Sequence, residues 1–204
     1  KNTVKQTCKN SLLVQTRGVL RKIMARQVDV IVIGGGHAGA EAAWAASSLL
    51  PDGVIAFVTM DAQKIGVMSC NPAIGGLGKG QIVREIDALG GLMARAIDAT
   101  GIMFKMLNTS KGPAVWGPRA QADKDAYRDE VQRLISTRTN IEIIEATVDD
   151  LLVEDGRVVG VMLEEELLAK AVVLTTGTFM RGLMHTGDEQ EKGGRVGEGT
   201  ADTI

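Results

Sequence analysis

The sequence predicts an α/β fold built on a parallel sheet. An apolar run at residues 28–33 leads through a glycine-rich turn into an alanine-rich helical stretch at 38–49, and a second apolar run follows at 54–59. Strand–helix–strand units of this kind place their two strands parallel, with a right-handed connection. A third buried run at 171–177 is expected to return to the same sheet. With 204 residues and 45% hydrophobic content, the chain can bury one sizeable core.

The glycine-rich turn carries the first functional signal. Gly34, Gly35, Gly36, His37, Ala38 and Gly39 form the pattern Gly-x-Gly-x-x-Gly between the first strand and the first helix. Gly34 permits a tight exit from the strand, Gly36 lets main-chain N–H groups approach a diphosphate, and Gly39 lets the helix pack closely on the strand. We interpret the turn as a dinucleotide-binding turn for FAD or NAD(P); the alternative is a turn that only packs.

The middle of the chain is predicted to be mainly helical. A glycine-rich loop covers 66–80, and apolar residues then recur at helical spacing from Ile82 to Ile97, interrupted by Gly90 and Gly91. A polar loop at 108–118 precedes a helix predicted around 120–137. The apolar face of that helix is expected to contain Tyr127, Val131, Leu134 and Ile135.

The last third changes to strand periodicity. Runs at 141–148 and 150–153, an Asp155-Gly156 turn and a return run at 157–163 predict strands that end in a hairpin. Glu164, Glu165 and Glu166 are interpreted as a solvated turn. The fold class is therefore a Rossmann-like FAD-binding domain of the glutathione-reductase type, with an inserted antiparallel β-hairpin.

The choice between flavin and nicotinamide rests on two positions. A nicotinamide-binding turn places an acidic residue at the end of the second strand, where Thr59 or Met60 stands here. Asp61 lies just beyond, either within reach of a ribose or as a solvated turn residue. Thr176 and Gly177, after the last strand, are expected to approach the same nucleotide. These features favour FAD.

Residues 1–28 differ from the remainder, which we assign as 29–204, the N-terminal part of the FAD-binding domain. The leader holds seven Lys or Arg and no acidic residue, which predicts an organelle transit peptide or, alternatively, a disordered basic tail. Cys8 and Cys70 have no metal-ligand spacing, which suits a reducing compartment and predicts no metal site. A net charge of −2 gives no general argument for nucleic acid or membrane.

Two loops carry groups suited to chemistry. Cys70 is either a nucleophile or redox partner beside the nucleotide, with Lys79 lowering its pKa, or a small structural cysteine. In the second loop, Lys111 and Arg119 are candidates for phosphate contacts and Trp116 for stacking on a base. That loop has a purely structural alternative as well. His37 is expected to pack or donate to the cofactor, and His185 to be a surface residue.

Several ordered motifs resemble the MnmG (GidA) family of FAD-dependent tRNA uridine modification enzymes. The resemblance covers about 29–195 and is carried by GGGHAG at 34–39, SCNPAIGG at 69–76, GKG at 78–80, DALGGLM at 87–93, SKGPAV at 110–115, RAQAD at 119–123 and GGR at 193–195. Trp116 stands where bacterial members tend to carry Arg. It resembles the mitochondrial branch, in agreement with the basic leader; the alternatives are the cytoplasm or another organelle.

The resemblance implies an enzyme that uses FAD, NADH and methylenetetrahydrofolate to build a carboxymethylaminomethyl or taurinomethyl group on the wobble uridine of tRNA. It implies a homodimer that works with a GTPase of the MnmE type. Independently of the resemblance, no run approaches the roughly 18 apolar residues of a membrane span, so no membrane association is expected.

Residues 34–39 and Val148 would contact FAD, Ala201 would be a loosely matched further contact, and Cys70 would be catalytic. Lys79 joins Lys111, Trp116 and Arg119 as tRNA candidates. Family members are longer, so this chain is expected to be an N-terminal fragment, incomplete on the C-terminal side of the FAD-binding domain, that does not complete the reaction alone. A generic FAD or NAD(P) oxidoreductase and a non-catalytic nucleotide-binding relative remain as alternatives.

Overall fold

The computed structural model describes residues 25–69, 71–76, 78–177, 180 and 182–192. Within them, a six-stranded sheet has the order β6-β2-β1-β9-β8-β7. Its strands are β1 (Arg26–Ile33), β2 (Ile55–Thr59), β6 (Ile141–Glu145), β7 (Asp150–Glu154), β8 (Arg157–Met162) and β9 (Glu166–Leu174). β1 lies parallel to β2 and β9, and β2 lies parallel to β6, which confirms the predicted strand–helix–strand unit and the return of the last strand.

The β7–β8 hairpin extends this sheet in the antiparallel sense. β8 pairs with both β7 and the first residues of β9, and the turn between β7 and β8 contains Asp155 at φ 49° and Gly156 at φ 75°. The inserted hairpin is therefore confirmed. Three boundaries differ from the prediction. β1 already begins at Arg26, within the range 1–28 assigned to the leader, because residues 26–28 pair with β9. The strand expected over 141–148 ends at Glu145, and β9 begins at Glu166, in the expected solvated turn.

The described residues form four α-helices: α1 (His37–Leu49), α2 (Lys79–Ala88), α3 (Leu92–Thr100) and α4 (Lys124–Ser136). α1 packs directly on β1, β2 and β9, and α3 packs against the other three helices. Alternate residues of the central strands enter two separate core clusters, with Val32 and Phe57 in one and Ile31 and Val58 in the other. Both faces of β1 and β2 are thus buried, as apolar parallel strands require. The run at 171–177, expected to be buried, is not: Val173 is 37% and Leu174 is 40% exposed. The break between α2 and α3 falls at Gly90 and Gly91, as predicted.

The predicted apolar face of α4 is confirmed, because Tyr127, Val131 and Ile135 are each 1% exposed and Leu134 packs against them. The helix starts later than predicted, at Lys124. Asp123 caps it by accepting hydrogen bonds from the N–H groups of Asp125 (3.1 Å) and Ala126 (3.0 Å). Capping chemistry rather than apolar spacing sets this boundary.

A second, antiparallel sheet with the order β3-β5-β4 contains strands that the sequence did not predict. These are β3 (Ala73–Gly75), β4 (Gly101–Leu107) and β5 (Gly117–Ala122). β3 lies in the expected loop at 66–80, and β5 overlaps both the expected loop at 108–118 and the start of the expected helix. β4 is exposed along most of its length, and β5 contains Gly and Pro, so neither shows an alternating apolar pattern.

A short hairpin, β10 (Leu183–Thr186) with β11 (Glu189–Lys192), follows the main sheet. His185 on β10 is exposed, as predicted. None of the helices in the described ranges is long and apolar enough to cross a membrane.

Candidate nucleotide-binding site

The predicted glycine turn lies where β1 ends and α1 begins, beside the end of β9. Ile33 pairs with Leu174, so the turn at Gly34 and the segment starting at Thr175 both leave the sheet at the carboxyl end of these parallel strands. The carboxyl end of a parallel sheet, at the point where connections diverge, is the usual place for a ligand in this fold class. The two glycine- and threonine-containing turns that the sequence indicated are therefore brought together.

Gly34 and Gly39 are required by close packing within the turn. Gly34 has φ 108°, and a Cβ on it would lie 2.4 Å from the Thr175 carbonyl oxygen. A Cβ on Gly39 would lie 1.8 Å from the Gly34 carbonyl oxygen. These positions support the tight exit from the strand and the close approach of the helix that the pattern predicts. Gly35 also leaves no room for a side chain, because an added Cβ would lie 2.6 Å from Thr59 Oγ1.

Gly36 differs from its neighbours because the space around it is open. A Cβ there would meet no described atom within 4 Å, and the φ of −72° is accessible to any residue. Gly36 is also the N-cap of α1, where no side chain makes a capping hydrogen bond and the first turn holds no acidic residue. The N–H groups at the start of α1 therefore face an open position at the positive end of a 13-residue helix. That arrangement fits a diphosphate.

Thr175 holds the second turn against the first. Its main-chain N–H donates to the Ile33 carbonyl at 2.9 Å, and its hydroxyl donates to the same carbonyl at 2.7 Å and lies 3.3 Å from the Gly34 carbonyl. The sequence pattern indicated the next two residues, Thr176 and Gly177, as nucleotide contacts. It did not indicate that Thr175 joins the two turns. The hydroxyl at the first position after the strand was the available signal, since the neighbouring strand end offers carbonyls there.

Asp61 is engaged in local structure rather than free for a ribose. Its carboxylate accepts a hydrogen bond from the Gln63 N–H at 2.9 Å and caps a short 3₁₀ helix (Ala62–Lys64). Of the two interpretations of Asp61, the turn residue is the one observed. Thr59 stands at the strand end and is 7% exposed.

Val148 lies between β6 and β7 with its side chain in the second core cluster, 5% exposed. Because the side chain is packed in the core, a nucleotide contact at this residue would have to come from its main chain.

A compact group of side chains supports the turn from the side of α4. The His37 ring packs against Tyr127, with ring centroids 5.7 Å apart and planes at 34°. Burial, and secondarily the positive charge of Lys79, lower the pKa of His37. Burial and the charge of Glu41 raise the pKa of Tyr127. Glu41 itself accepts hydrogen bonds from the Leu92 N–H (2.9 Å) and the Met93 N–H (2.6 Å), which caps α3.

The predicted RNA-contacting residues lie around the small sheet. Lys111 and Trp116 belong to the loop between β4 and β5; Trp116 is 44% exposed and its indole N–H donates to the Thr109 carbonyl at 3.3 Å. Arg119 lies on β5. Lys79 opens α2, whose Gly80 packs near Pro118, the residue before Arg119. The positive charge of Lys79 also contributes to the lowered pKa of His37.

A cleft of about 410 Å³ lies between α2, α3 and the small sheet. Lys105 and Arg119 line it from directly opposed positions on β4 and β5, and Arg84 lines it from α2. Phe104 and Met106 add exposed apolar surface, and Asp87 and Asp98 add acidic groups. In the part of the chain that the structure describes, no ion pair neutralises Lys105 or Arg119.

Cys70 and Ala201 lie outside the described residues, as do the GGR motif at 193–195 and the first 24 residues of the leader. Among the residues that are described, no group of three or more His, Cys, Asp or Glu is arranged to hold a metal ion.

Comparison with known proteins identifies the family. The family model described as glucose inhibited division protein A matches residues 29–204. The chain belongs to this family.

Curated relatives in the glucose inhibited division protein A family are much longer than this chain. It is 58% identical over 175 residues to a protein of Granulibacter bethesdensis named tRNA uridine 5-carboxymethylaminomethyl modification enzyme MnmG, a match that covers 83% of this chain and 28% of the relative. A Rhodopirellula baltica protein of the same name is 54% identical over 184 residues, with 84% and 28% covered. The chain thus spans less than a third of these relatives.

Solved structures agree with the family assignment. Aquifex aeolicus GidA, in its form II crystal, superposes with a TM-score of 0.81 at 51% identity and covers 87% of this chain and 29% of that one. The GidA-related protein from Thermus thermophilus gives a TM-score of 0.59 at 22% identity, covering 87% and 65%. The second likeness shows the fold alone. The Rossmann-like class predicted from the sequence is confirmed.

Proposed function

We propose that this chain binds FAD at the glycine turn and forms the FAD-binding portion of an enzyme that modifies the wobble uridine of tRNA. The observation that carries the proposal is the open, uncapped start of α1 at Gly36 in a chain 58% identical to a protein named as a tRNA uridine modification enzyme. The FAD would supply the redox chemistry of the modification. The residues of this chain would bind and orient it.

The diphosphate would be held by main-chain donors rather than by side chains. The N–H groups of His37, Ala38 and Gly39 form the first turn of α1, where an anion is favoured by the helix dipole. Gly36 keeps the approach open, and Thr175 fixes the Gly34 carbonyl beside it. Thr176, Gly177 and the main chain of Val148 complete the proposed contacts, with Ala201 as a looser one.

The proposed tRNA surface comprises the cleft beside the small sheet and the loop next to it. Lys105 and Arg119 stand directly opposite one another, an arrangement of like charges that an anion between them would stabilise. Asp87 and Asp98 line the same cleft, but among the described residues neither forms an ion pair with Lys105 or Arg119. Phosphates would supply that anion, and the exposed rings of Phe104 and Trp116 are suited to stacking on bases. Lys79 and Lys111 extend the cationic surface toward the glycine turn and the loop.

The remaining features belong to the whole protein and follow from the family resemblance. We propose NADH as reductant, methylenetetrahydrofolate as one-carbon donor and Cys70 as the catalytic residue. We further propose a homodimer that works with a GTPase of the MnmE type and installs a carboxymethylaminomethyl or taurinomethyl group. The seven basic residues and the lack of acidic ones in 1–28 support a mitochondrial location.

Depletion of the gene product, followed by mass spectrometry of tRNA nucleosides, tests the proposed function. Loss of the 5-substituted wobble uridine, restored by a complete gene copy, is the expected result. Unchanged nucleosides with an altered small-molecule oxidation state would favour a generic oxidoreductase. A complete gene copy with G36A should fail to restore the modification, whereas restoration would favour a relative that needs no nucleotide for its role. A fluorescent fusion to residues 1–28 tests the location, with mitochondrial import expected.

A further inference from the structure

The side chain of His37 is placed for support rather than for solvent. His37 is the first residue of α1 and therefore part of the turn that faces the proposed diphosphate, yet its ring packs against Tyr127 of α4 at a centroid distance of 5.7 Å. Tyr127 is 1% exposed and belongs to the core cluster under the sheet. One side chain therefore links the anion-facing end of α1 to a helix that is itself anchored in the core.

Each element packed around the ring contributes a different group. α1 contributes Glu41, whose carboxylate is already bonded to the Leu92 and Met93 N–H groups. α2 contributes the positive charge of Lys79. α3 contributes the apolar side chains of Leu92 and Met93, and α4 contributes the Tyr127 ring with Val131. The ring is thus surrounded by mostly apolar surface, by one cation, and by one carboxylate that already accepts hydrogen bonds from α3. These surroundings favour a neutral imidazole.

We propose that His37 is a positioning residue for the flavin diphosphate: its neutral ring, held against Tyr127, fixes the first turn of α1, and protonation of the ring in mild acid weakens flavin binding. This inference rests on the proposed FAD site. An imidazolium in this group would stand near Lys79 and against apolar side chains, so the ring would leave Tyr127. The His37 main chain, which carries one of the donors proposed for the diphosphate, would move with it.

Whether acid weakens or tightens flavin binding distinguishes a ring that positions the turn from a ring that touches the diphosphate. If the ring touched the diphosphate, a positive imidazolium would attract it and acid would tighten binding. If the ring positions the turn, acid must weaken binding. Because the pKa of His37 is lowered in the folded chain, the ring stays neutral as the pH passes the ordinary histidine pKa of about 6.5. It takes up a proton, and the neutral arrangement is lost, only as the pH falls below its own lowered pKa.

The test is an FAD titration followed by flavin fluorescence at a series of pH values from about 8 down to below the pKa of His37, as the NMR titration described next measures it. The chain has two histidines, so H37Q removes the proposed group and H185Q, on the exposed β10, is the matched control. We expect the Kd for FAD of the unaltered chain and of H185Q to rise at least about threefold in acid, and that of H37Q to change by less. Y127F, which keeps the ring contact, should retain the pH dependence.

A proton NMR titration of the two imidazole rings keeps the test independent of how well H37Q folds. By linkage, FAD should lower the pKa of His37, since the flavin-bound state favours the neutral ring. Acid-independent or acid-tightened binding, or a His37 pKa raised by FAD, overturns the inference while leaving the FAD site intact. A chain that binds no FAD at pH about 8, where the ring is neutral, overturns the proposed function and this inference with it.

Discussion

Replacing Gly39 by alanine should destabilise the fold, whereas the same replacement at Gly36 should remove flavin without destabilising it. A Cβ on Gly39 lies 1.8 Å from the Gly34 carbonyl oxygen, while ordinary contact begins at 3.4 Å. The oxygen belongs to the main chain of a closely packed turn and cannot swing aside as a side chain could, so α1 would have to shift. Overpacking of this kind costs roughly 1–3 kcal/mol, against which alanine gains up to about 1 kcal/mol of helix propensity.

The 1.8 Å approach to a main-chain oxygen places G39A at the upper end of that cost, so the expected net loss is about 2 kcal/mol in the free energy of unfolding. Urea denaturation of the flavin-free chain measures it, and a loss of this size lowers the midpoint by roughly 1 M. G36A should fall within about 0.5 kcal/mol of the unaltered chain, because its Cβ meets nothing within 4 Å and its φ is −72°.

G36A, which should leave the stability of the chain nearly unchanged, should strongly weaken flavin binding. A methyl group there occupies the open approach to the α1 N-terminus, so the Kd for FAD should rise at least about tenfold, equivalent to about 1.4 kcal/mol. The reasoning is refuted if G36A destabilises the flavin-free chain as much as G39A does. It is equally refuted if G39A leaves the unfolding midpoint unchanged.

Three further replacements test the contacts around the turn and the cleft. T175V removes the hydroxyl that bonds the Ile33 carbonyl at 2.7 Å and should cost about 1 kcal/mol in urea unfolding, with T175S retaining the native value. E41A removes the cap of α3, where Leu92 N–H donates at 2.9 Å, and should lower the free energy of unfolding by about 1–2 kcal/mol; stability equal to that of the unaltered chain would contradict the assigned cap. R119E should weaken tRNA binding in a filter assay and reduce its salt dependence, whereas K192E on the exposed β11 should not; equal effects would argue against the cleft.

The sequence allowed the centre of the main sheet to be predicted because β1 and β2 are buried on both faces. The run from Val30 to Ile33 and the run before Thr59 are continuous apolar segments with clear ends, and the glycine turn fixes what lies between them. The apolar spacing from Tyr127 to Ile135 likewise identifies one face of α4. In these segments the local pattern and the tertiary burial point to the same structure.

The small sheet could not be predicted in the same way. β4 is exposed through most of its length, and β5 begins with Gly117 and Pro118, so the strands are stabilised by pairing with distant residues rather than by pattern. The same limit applies to the site. Gly34 and Gly39 are recognisable from spacing, whereas the hydroxyl of Thr175 and the ring contact between His37 and Tyr127 join residues far apart in the chain.

The absorption spectrum of the purified chain, incubated with FAD and then desalted, tests the central claim most directly. We predict that flavin bands remain with the unaltered chain and are lost with G36A, both proteins being folded by circular dichroism. A folded chain that retains no flavin, or a G36A variant that retains as much as the unaltered chain, would contradict the assignment of the α1 N-terminus as the flavin diphosphate site.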